Sequence, residues 1–284
     1  MLIFDNKLAL TSYIKSISDT NSSIGFVPTM GALHAGHLSL IQLSLCDNTI
    51  NVVSVFVNPT QFNNPEDLAK YPRTLENDVE KIKTISDKVI IYAPNVYDIY
   101  EGKTVSENFE YDGLENQMEG KFRPGHFNGV GTIVKKLFEI VRPTNAYFGE
   151  KDFQQLQIVR KMVEKNKIKV NVIGCPILRE KNGLAMSSRN ERLTKMERLE
   201  AEIIFESLLK AKEMFQKETI PIKKIKDWIK LFFEKSDIFK LEYFEIAEEK
   251  TLVSSKRKNK TKTFRAFIAV FVNNIRLIDT ISLK

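Results

Sequence analysis

Cysteine is nearly absent: among 284 residues only Cys46 and Cys175 occur, and no CxxC pair. That excludes a disulfide framework and suits a reducing compartment, so a cytoplasmic location is expected. Three histidines and two distant cysteines also give no ligand spacing for a zinc site. No apolar run approaches the roughly 18 residues needed to cross a bilayer, and the start, Met1-Leu-Ile-Phe-Asp5, lacks a basic leader. A membrane partner is therefore not expected. Internal repeats and low-complexity tracts are missing too. What is present, 43% hydrophobic and 28% charged residues, is the composition of a globular chain with one large core or two modest ones.

The charge of +7 is uneven. From Cys175 onward there are 24 Lys and Arg against 16 Asp and Glu; residues 1–174 hold 19 against 20. The basic run Lys256-Arg-Lys-Asn-Lys-Thr-Lys262 lies between apolar runs and reads as a solvated hairpin connection. The remaining positive charge is mostly lysine scattered along helices, without the aromatic or arginine-rich surfaces of a nucleic-acid binder, so no nucleic acid partner is expected.

One stretch organises the rest. Ile24 to Val27 reads as a buried strand stopped by Pro28; Gly31 and Gly36 bracket a tight connection; Leu38, Leu40, Ile41 and Leu45 then take helical spacing. His34 and His37 fall at the helix start, three apart and on one side of the first turn. Unpaired N–H groups and the positive end of the helix dipole attract phosphate there, and imidazoles can follow charge growing on a phosphoryl group. Taken alone, the pair reads more readily as polar residues capping a helix.

Further along, residues 1–22 hold an amphipathic helix-like segment, and Thr49–Val57 is a β-branched run apolar on both faces, as in a central parallel strand. Asn58–Pro65 is a turn-rich loop where open α/β sheets bind ligands, beyond the carboxyl ends of strands. A helix through Leu75, Val79 and Ile82 follows, then strand Val89–Tyr92, a loose stretch from Ala93 to Gly125, and a glycine-rich turn with His126. After the helix that follows come strand Ala146–Phe148, the turn Gly149–Asp152, another helix, and strand Lys169–Ile173, broken by Gly174-Cys-Pro176. This alternation predicts a doubly wound parallel sheet over residues 1–174. Residues 175–284 predict a smaller α+β unit: a long helix N-capped by Thr194 with Glu197 completing a capping box, a helix after Pro221, and three strand-like runs.

His34-Ala-Gly-His37 is similar to the His-x-Gly-His signature of the nucleotidyltransferase superfamily. A whole series in order narrows this: Pro28–His37, Phe56-Val-Asn-Pro-Thr-Gln-Phe62, Tyr71-Pro-Arg-Thr74, Arg123-Pro-Gly-His-Phe127, Tyr147-Phe-Gly-Glu-Lys-Asp152 with Gln154-Gln155, Met186-Ser-Ser-Arg-Asn190 and Arg276-Leu-Ile-Asp279. Together they resemble the pantothenate synthetase family, ligases joining (R)-pantoate to β-alanine with ATP through a pantoyl adenylate. The resemblance implies a Rossmann-like catalytic domain at 1–174 and a C-terminal lid at 175–284. It implies ATP and Mg²⁺, a homodimer, and an ATP site of Met30, Gly31, Ala32, Leu33, His34, Ala35, Gly36, His37, Gly149, Glu150, Lys151, Asp152, Leu178, Met186, Ser187, Ser188 and Arg189. Of these, His34, His37, Lys151, Ser187, Ser188 and Arg189 would take part in catalysis, His37 as the usual candidate proton donor. Gln61 and Gln155 would hold pantoate, Gln61 also bordering β-alanine. The Met186–Arg189 loop would close over the triphosphate.

The residue chemistry suits this. Lys151 and Arg189 supply positive charge, imidazoles and serines supply donors, and an amide both donates and accepts toward a hydroxylated substrate. His126 reads as a turn-ordering residue. Metal ligands stay unassigned, although an acid at Asp78 could help place one. Ala35 stands where the family often has an acidic residue, without bearing on the chemistry. A nucleotide-cofactor adenylyltransferase would share the two histidines but has no reason to carry Gln61, Gln155 and Ser187-Ser188-Arg189 together.

Overall fold

The computed structural model describes residues 1–284. Six strands, β1 (Leu2–Phe4), β2 (Ile24–Thr29), β3 (Ile50–Val55), β4 (Ile90–Tyr92), β5 (Asn145–Gly149) and β6 (Asn171–Cys175), form one sheet. Its order is β1-β4-β3-β2-β5-β6 and every pairing is parallel. Between the strands run helices α1 (Lys7–Ile17), α2 (Ala35–Asp47), α3 (Pro65–Lys70), α4 (Leu75–Lys83), α5 (Val96–Tyr100), α6 (Met118–Phe122), α7 (His126–Val141) and α8 (Phe153–Asn166).

Adjacent strand residues point to opposite faces, and here both faces are apolar. Phe26, Val52, Ile90 and Ala146 join the core formed with α1, α7 and α8; Val27, Val53, Ile91 and Tyr147 join a second core with α2 and α4. Each buried Val, Ile or Phe among them contributes about 1.5–3 kcal/mol. Helices on both faces make the sheet doubly wound, as expected. Strand order reverses on either side of β2, so the crevice beyond its carboxyl end is the topological switch point.

The chain continues through α9 (Lys195–Glu200) into a three-stranded antiparallel sheet, β7 (Phe239–Glu248), β8 (Phe264–Val272) and β9 (Ile275–Ser282), packed on α10 (Glu202–Gln216) and α11 (Ile222–Phe233). Its core has its own members, from Leu184 to Leu283.

Several boundaries differ from expectation. Strand β2 continues through Pro28 to Thr29 because only β3 still pairs with it there; pairing to β5 ends at Phe26, so the missing proline N–H interrupts no ladder. Strand β6 runs through Gly174 to Cys175, which puts the expected division at 174/175 at the last residue of a strand. The helix expected from Thr194 is two segments, tightening at Ala201, although the capping box of Thr194 and Glu197 is present. The loose stretch 93–125 holds two short helices, α5 and α6.

Candidate active site

The cleft opens beyond the carboxyl ends of β2 and β5. Its floor begins where β2 runs out at Met30 and the chain turns into α2. His34 is the N-cap of α2: its Nδ1 accepts the Gly36 N–H at 3.1 Å, while His37 Nδ1 accepts the His34 N–H at 3.4 Å. A Cβ at position 36 would lie 2.9 Å from the His34 ring, so only glycine lets the ring fold back on its own helix. The two imidazoles stack with centroids 4.0 Å apart. Burial, then the neighbouring imidazole and Lys151, pushes His34 down to about 2; burial, then Lys151, pushes His37 down to about 4. Both are neutral at pH 7. With each Nδ1 occupied as an acceptor, the proton resides on Nε2 and is free to donate.

Next to the imidazoles, the 3-10 turn Pro59–Gln61 carries Gln61. Its side-chain oxygen accepts from Asn58 Nδ2 at 3.0 Å, and Asn58 is in turn oriented by the Tyr100 hydroxyl at 2.6 Å. The Gln61 main-chain carbonyl accepts from His126 Nδ1 at 2.8 Å and from Arg123 at 3.4 Å. His126 therefore orders the turn, as its setting in the sequence suggested. Burial takes it down to about 4 as well. Gln155 lines the same cleft from the first turn of α8, without any hydrogen bond from its side chain to the protein. Lys151, before α8, has Asp152 as its one ion-pair partner, at 3.7 Å.

The roof is the segment Met186–Arg189. Ser187 caps the 3-10 turn Ser188–Arg192, Ser188 donates to the Ala32 carbonyl at 2.9 Å, and Arg189 pairs with Asp67 of α3 at 3.1 Å. Leu178 and Gly149 complete the wall. Of the residues expected at the site, Met30, His34, Gly36, His37, Gln61, Gly149, Lys151, Asp152, Gln155, Leu178, Met186, Ser187, Ser188 and Arg189 converge on this one cleft. Gly31, Ala32, Leu33, Ala35 and Glu150 do not line it. Leu33 is buried in the α2–α4 core, Ala35 is exposed, and Glu150 is paired with Arg265 of β8 at 2.9 Å.

A second chamber adjoins, sharing Gln61, Lys151, Gln155 and Arg189 and adding Glu119, Arg123 and Tyr243. Arg276 of β9 grips Glu119 of α6 through two bonds of 2.7 and 2.8 Å, the Tyr243 hydroxyl adds a third at 2.7 Å, and Phe122 stacks on Tyr243. Burial by itself raises the Glu119 carboxyl, but the Arg276 guanidinium outweighs it and carries the group down to about 2. Sequence reasoning assigned no role to Asn58, Tyr71, Glu119 or Arg123. Asn58, Tyr71 and Arg123 lay in quoted motifs; Glu119 had no local signal, since its partner is 157 positions away.

No three acids, histidines or cysteines converge as a metal cage. The arrangement is instead one of neutral N–H donors and a lysine facing two amides, suited to holding a polyanion beside a hydroxylated carboxylate.

A family model described as Pantoate-beta-alanine ligase matches residues 2–282. Pantothenate synthetase of Flavobacterium psychrophilum is 64% identical over 284 residues, covering all of both chains, and that of Christiangramia forsetii is 50% identical over the same span. The crystal structure of pantothenate synthetase from Thermus thermophilus is similar with a TM-score of 0.89 at 35% identity, over 100% of this chain and 99% of that one. The Francisella tularensis pantoate-beta-alanine ligase, complexed with beta-gamma ATP and beta-alanine, gives 0.81 at 35% identity over 100% and 98%.

Proposed function

This chain belongs to the pantoate-β-alanine ligase family and is an ATP-dependent ligase of pantoate and β-alanine, and from that premise we propose how its own residues act. In the first step a pantoate carboxylate oxygen attacks the α-phosphorus, the bond to the bridging oxygen breaks, and pyrophosphate leaves. In the second, the β-alanine amine attacks the acyl carbon, loses a proton and expels AMP. Nothing covalent is asked of the protein; alignment and spreading of charge carry the rate.

The Nε2–H groups of His34 and His37 donate to the phosphates as neutral imidazoles, with His37 the candidate donor as charge builds on the leaving group. Lys151 neutralises the phosphate charge, and the amides of Gln61 and Gln155 hold pantoate, Gln61 also bordering β-alanine. Ser187, Ser188 and Arg189 close over the triphosphate, which keeps water from the mixed anhydride. Met30, Gly36, Gly149, Asp152, Leu178 and Met186 shape the nucleotide pocket; Gly31, Ala32, Leu33 and Ala35 serve through the backbone of the same turn. Glu150 has a different use, the ion pair with Arg265. Mg²⁺ would enter with the nucleotide and would supply shielding of the phosphate charge beside Lys151. Residues 1–174 as catalytic domain, 175–284 as lid, a homodimer and a cytoplasmic location belong to the same proposal; no helix here is long and apolar enough to cross a membrane.

The observation that carries the reading is the unpartnered Gln155 amide facing the cleft that the two neutral imidazoles and Lys151 also line. ATP–pyrophosphate exchange tests it. Exchange that requires pantoate and proceeds without β-alanine supports the adenylate route. Exchange independent of pantoate, or no exchange together with no pantoate-dependent AMP formation, would return the chain to the rival adenylyltransferases.

A further inference from the structure

The turn that presents His34 is strained, and one carboxylate holds it. Gly31 and Ala32 both occupy the left-handed region, at φ 81° and 50°. Glycine adopts that conformation freely, whereas the Cβ of alanine crowds the following carbonyl at a cost of roughly 1–2 kcal/mol. Such strain persists only where the surroundings enforce it.

Here the enforcement comes from Asp78 on α4. Its side chain is wholly shielded from solvent; one oxygen accepts the Ala32 N–H at 3.0 Å and the other the Leu33 N–H at 2.7 Å. Three residues further along the same helix, Lys81 donates to the Leu33 carbonyl at 2.6 Å. From the roof, Ser188 donates to the Ala32 carbonyl at 2.9 Å. Two consecutive residues, Ala32 and Leu33, are therefore each held at both N–H and C=O, and the next residue is His34. An acid at this place could have served a metal, but each oxygen of Asp78 accepts from an amide N–H, one of them also from the Thr74 hydroxyl at 3.4 Å, and the side chain has no exposed face.

We infer that Asp78 is a positioning residue for adenylate formation. Its carboxylate fixes the Ala32–Leu33 peptides, so that the two imidazoles and the Ser188 latch are set before the nucleotide arrives. The inference rests on the nucleotide reading of the cleft given above. Preorganised donors act without reorganisation at the moment of reaction, so loosening the turn weakens nucleotide use and leaves pantoate binding alone.

Asp78→Asn keeps the size and turns one acceptor into an NH₂ that faces an amide N–H. In pantoate-dependent ATP–pyrophosphate exchange, the KM for ATP rises at least tenfold, the KM for pantoate stays within twofold, and the Mg²⁺ activation midpoint is unchanged. Adding Ala32→Gly recovers at least threefold of the lost kcat/KM for ATP, because glycine keeps φ near 50° without the clamp. A metal ligand gives the opposite pattern, a shifted Mg²⁺ midpoint that glycine does not rescue, and that result overturns the inference, as does an unchanged KM for ATP. Should Asp78→Asn fail to fold, Lys81→Met loosens the same turn from its carbonyl side. A KM for ATP raised about threefold, with pantoate unaffected, then supports the clamp, and no change overturns it. Amide hydrogen exchange at Leu33 reads the clamp independently of turnover: protected in the wild-type chain and at least tenfold faster in the variant, or unaltered if the clamp is wrong. A wild-type chain without pantoate-dependent exchange refutes the ligase reading by itself.

Discussion

The floor of the cleft and the seam between the two sheets are built from opposite materials. On the floor, His34, His37, Gln61 and Gln155 are uncharged, and three of the four are oriented by main-chain or neutral side-chain partners. Along the seam, Glu119 meets Arg276, Glu150 meets Arg265, and Asp67 meets Arg189, so the C-terminal unit is tied down by ions. Neutral donors fixed by the backbone can receive a polyanion without first giving up a counter-ion. Paired ions join two units only while the pair is complete, because removing one partner strands the other charge. The floor is thus shaped for chemistry and the seam for docking.

The largest expected effect would break the seam. Arg276→Met leaves Glu119 buried with only Tyr243 and Arg123, takes the guanidinium from Glu242 as well, and lowers stability by about 3–5 kcal/mol, measured by urea unfolding. The double variant Glu119→Met with Arg276→Met loses less than the two singles summed, with a coupling of about 1 kcal/mol or more. Additive losses would mean the pair is not what joins the sheets.

Breaking the floor has a different signature. His37→Ala lowers the rate of pyrophosphate exchange by about 10²–10³, the usual loss for one preorganised donor, with little change in unfolding midpoint. A loss below tenfold would take His37 out of the chemistry. Gln155→Ala raises the KM for pantoate about tenfold to a hundredfold while that for ATP changes little, matching about 1.5–3 kcal/mol for hydrogen bonds to a charged group. Equal effects on both substrates would place Gln155 between the two sites.

Acid separates the two regions without any substitution, with the smallest effect per residue. The folded values of His34, His37 and His126 lie below the ordinary 6.5, so the unfolded chain binds protons first. Stability is therefore intact above about 6.5 and falls as pH drops toward 4, by about 1 kcal/mol per histidine at pH 5.5. The Glu119 contribution is complete above the ordinary carboxyl value of 4.5 and is lost only as pH falls from there toward 2. Urea midpoints at pH 7, 5.5 and 3.5 resolve the two windows; flat stability between 7 and 5.5 contradicts the buried neutral histidines.

The strand–turn–helix around His34 and the two-faced apolar runs could be read from the sequence because their causes are local: spacing, glycines and β-branching act within a few residues. Strand β1 escaped notice because Leu2–Phe4 is too short to show a period, and α6 because Gly120 and its five-residue length hide it. Asp78 reaches back 45 positions to Leu33, and Arg276 reaches 157 to Glu119, distances over which pattern says nothing. Lys258 makes the same point on a smaller scale. In the run read as a solvated loop, it caps the end of α10 through the Lys217 carbonyl at 2.6 Å and stacks over Phe215, a role only the folded chain reveals.

The most direct test of the neutral floor is the two-bond ¹H–¹⁵N spectrum of the ¹⁵N-labelled chain, simple here because it contains three histidines. The hydrogen bonds predict that at pH 7 all three are neutral, His34 and His37 with the proton on Nε2 and His126 with it on Nδ1, where a carbonyl can only accept. On titration His37 and His126 should stay neutral until pH falls to about 4, and His34 lower still. An imidazolium at His34 or His37 near pH 6.5, or an Nδ1–H tautomer at either, would contradict the account.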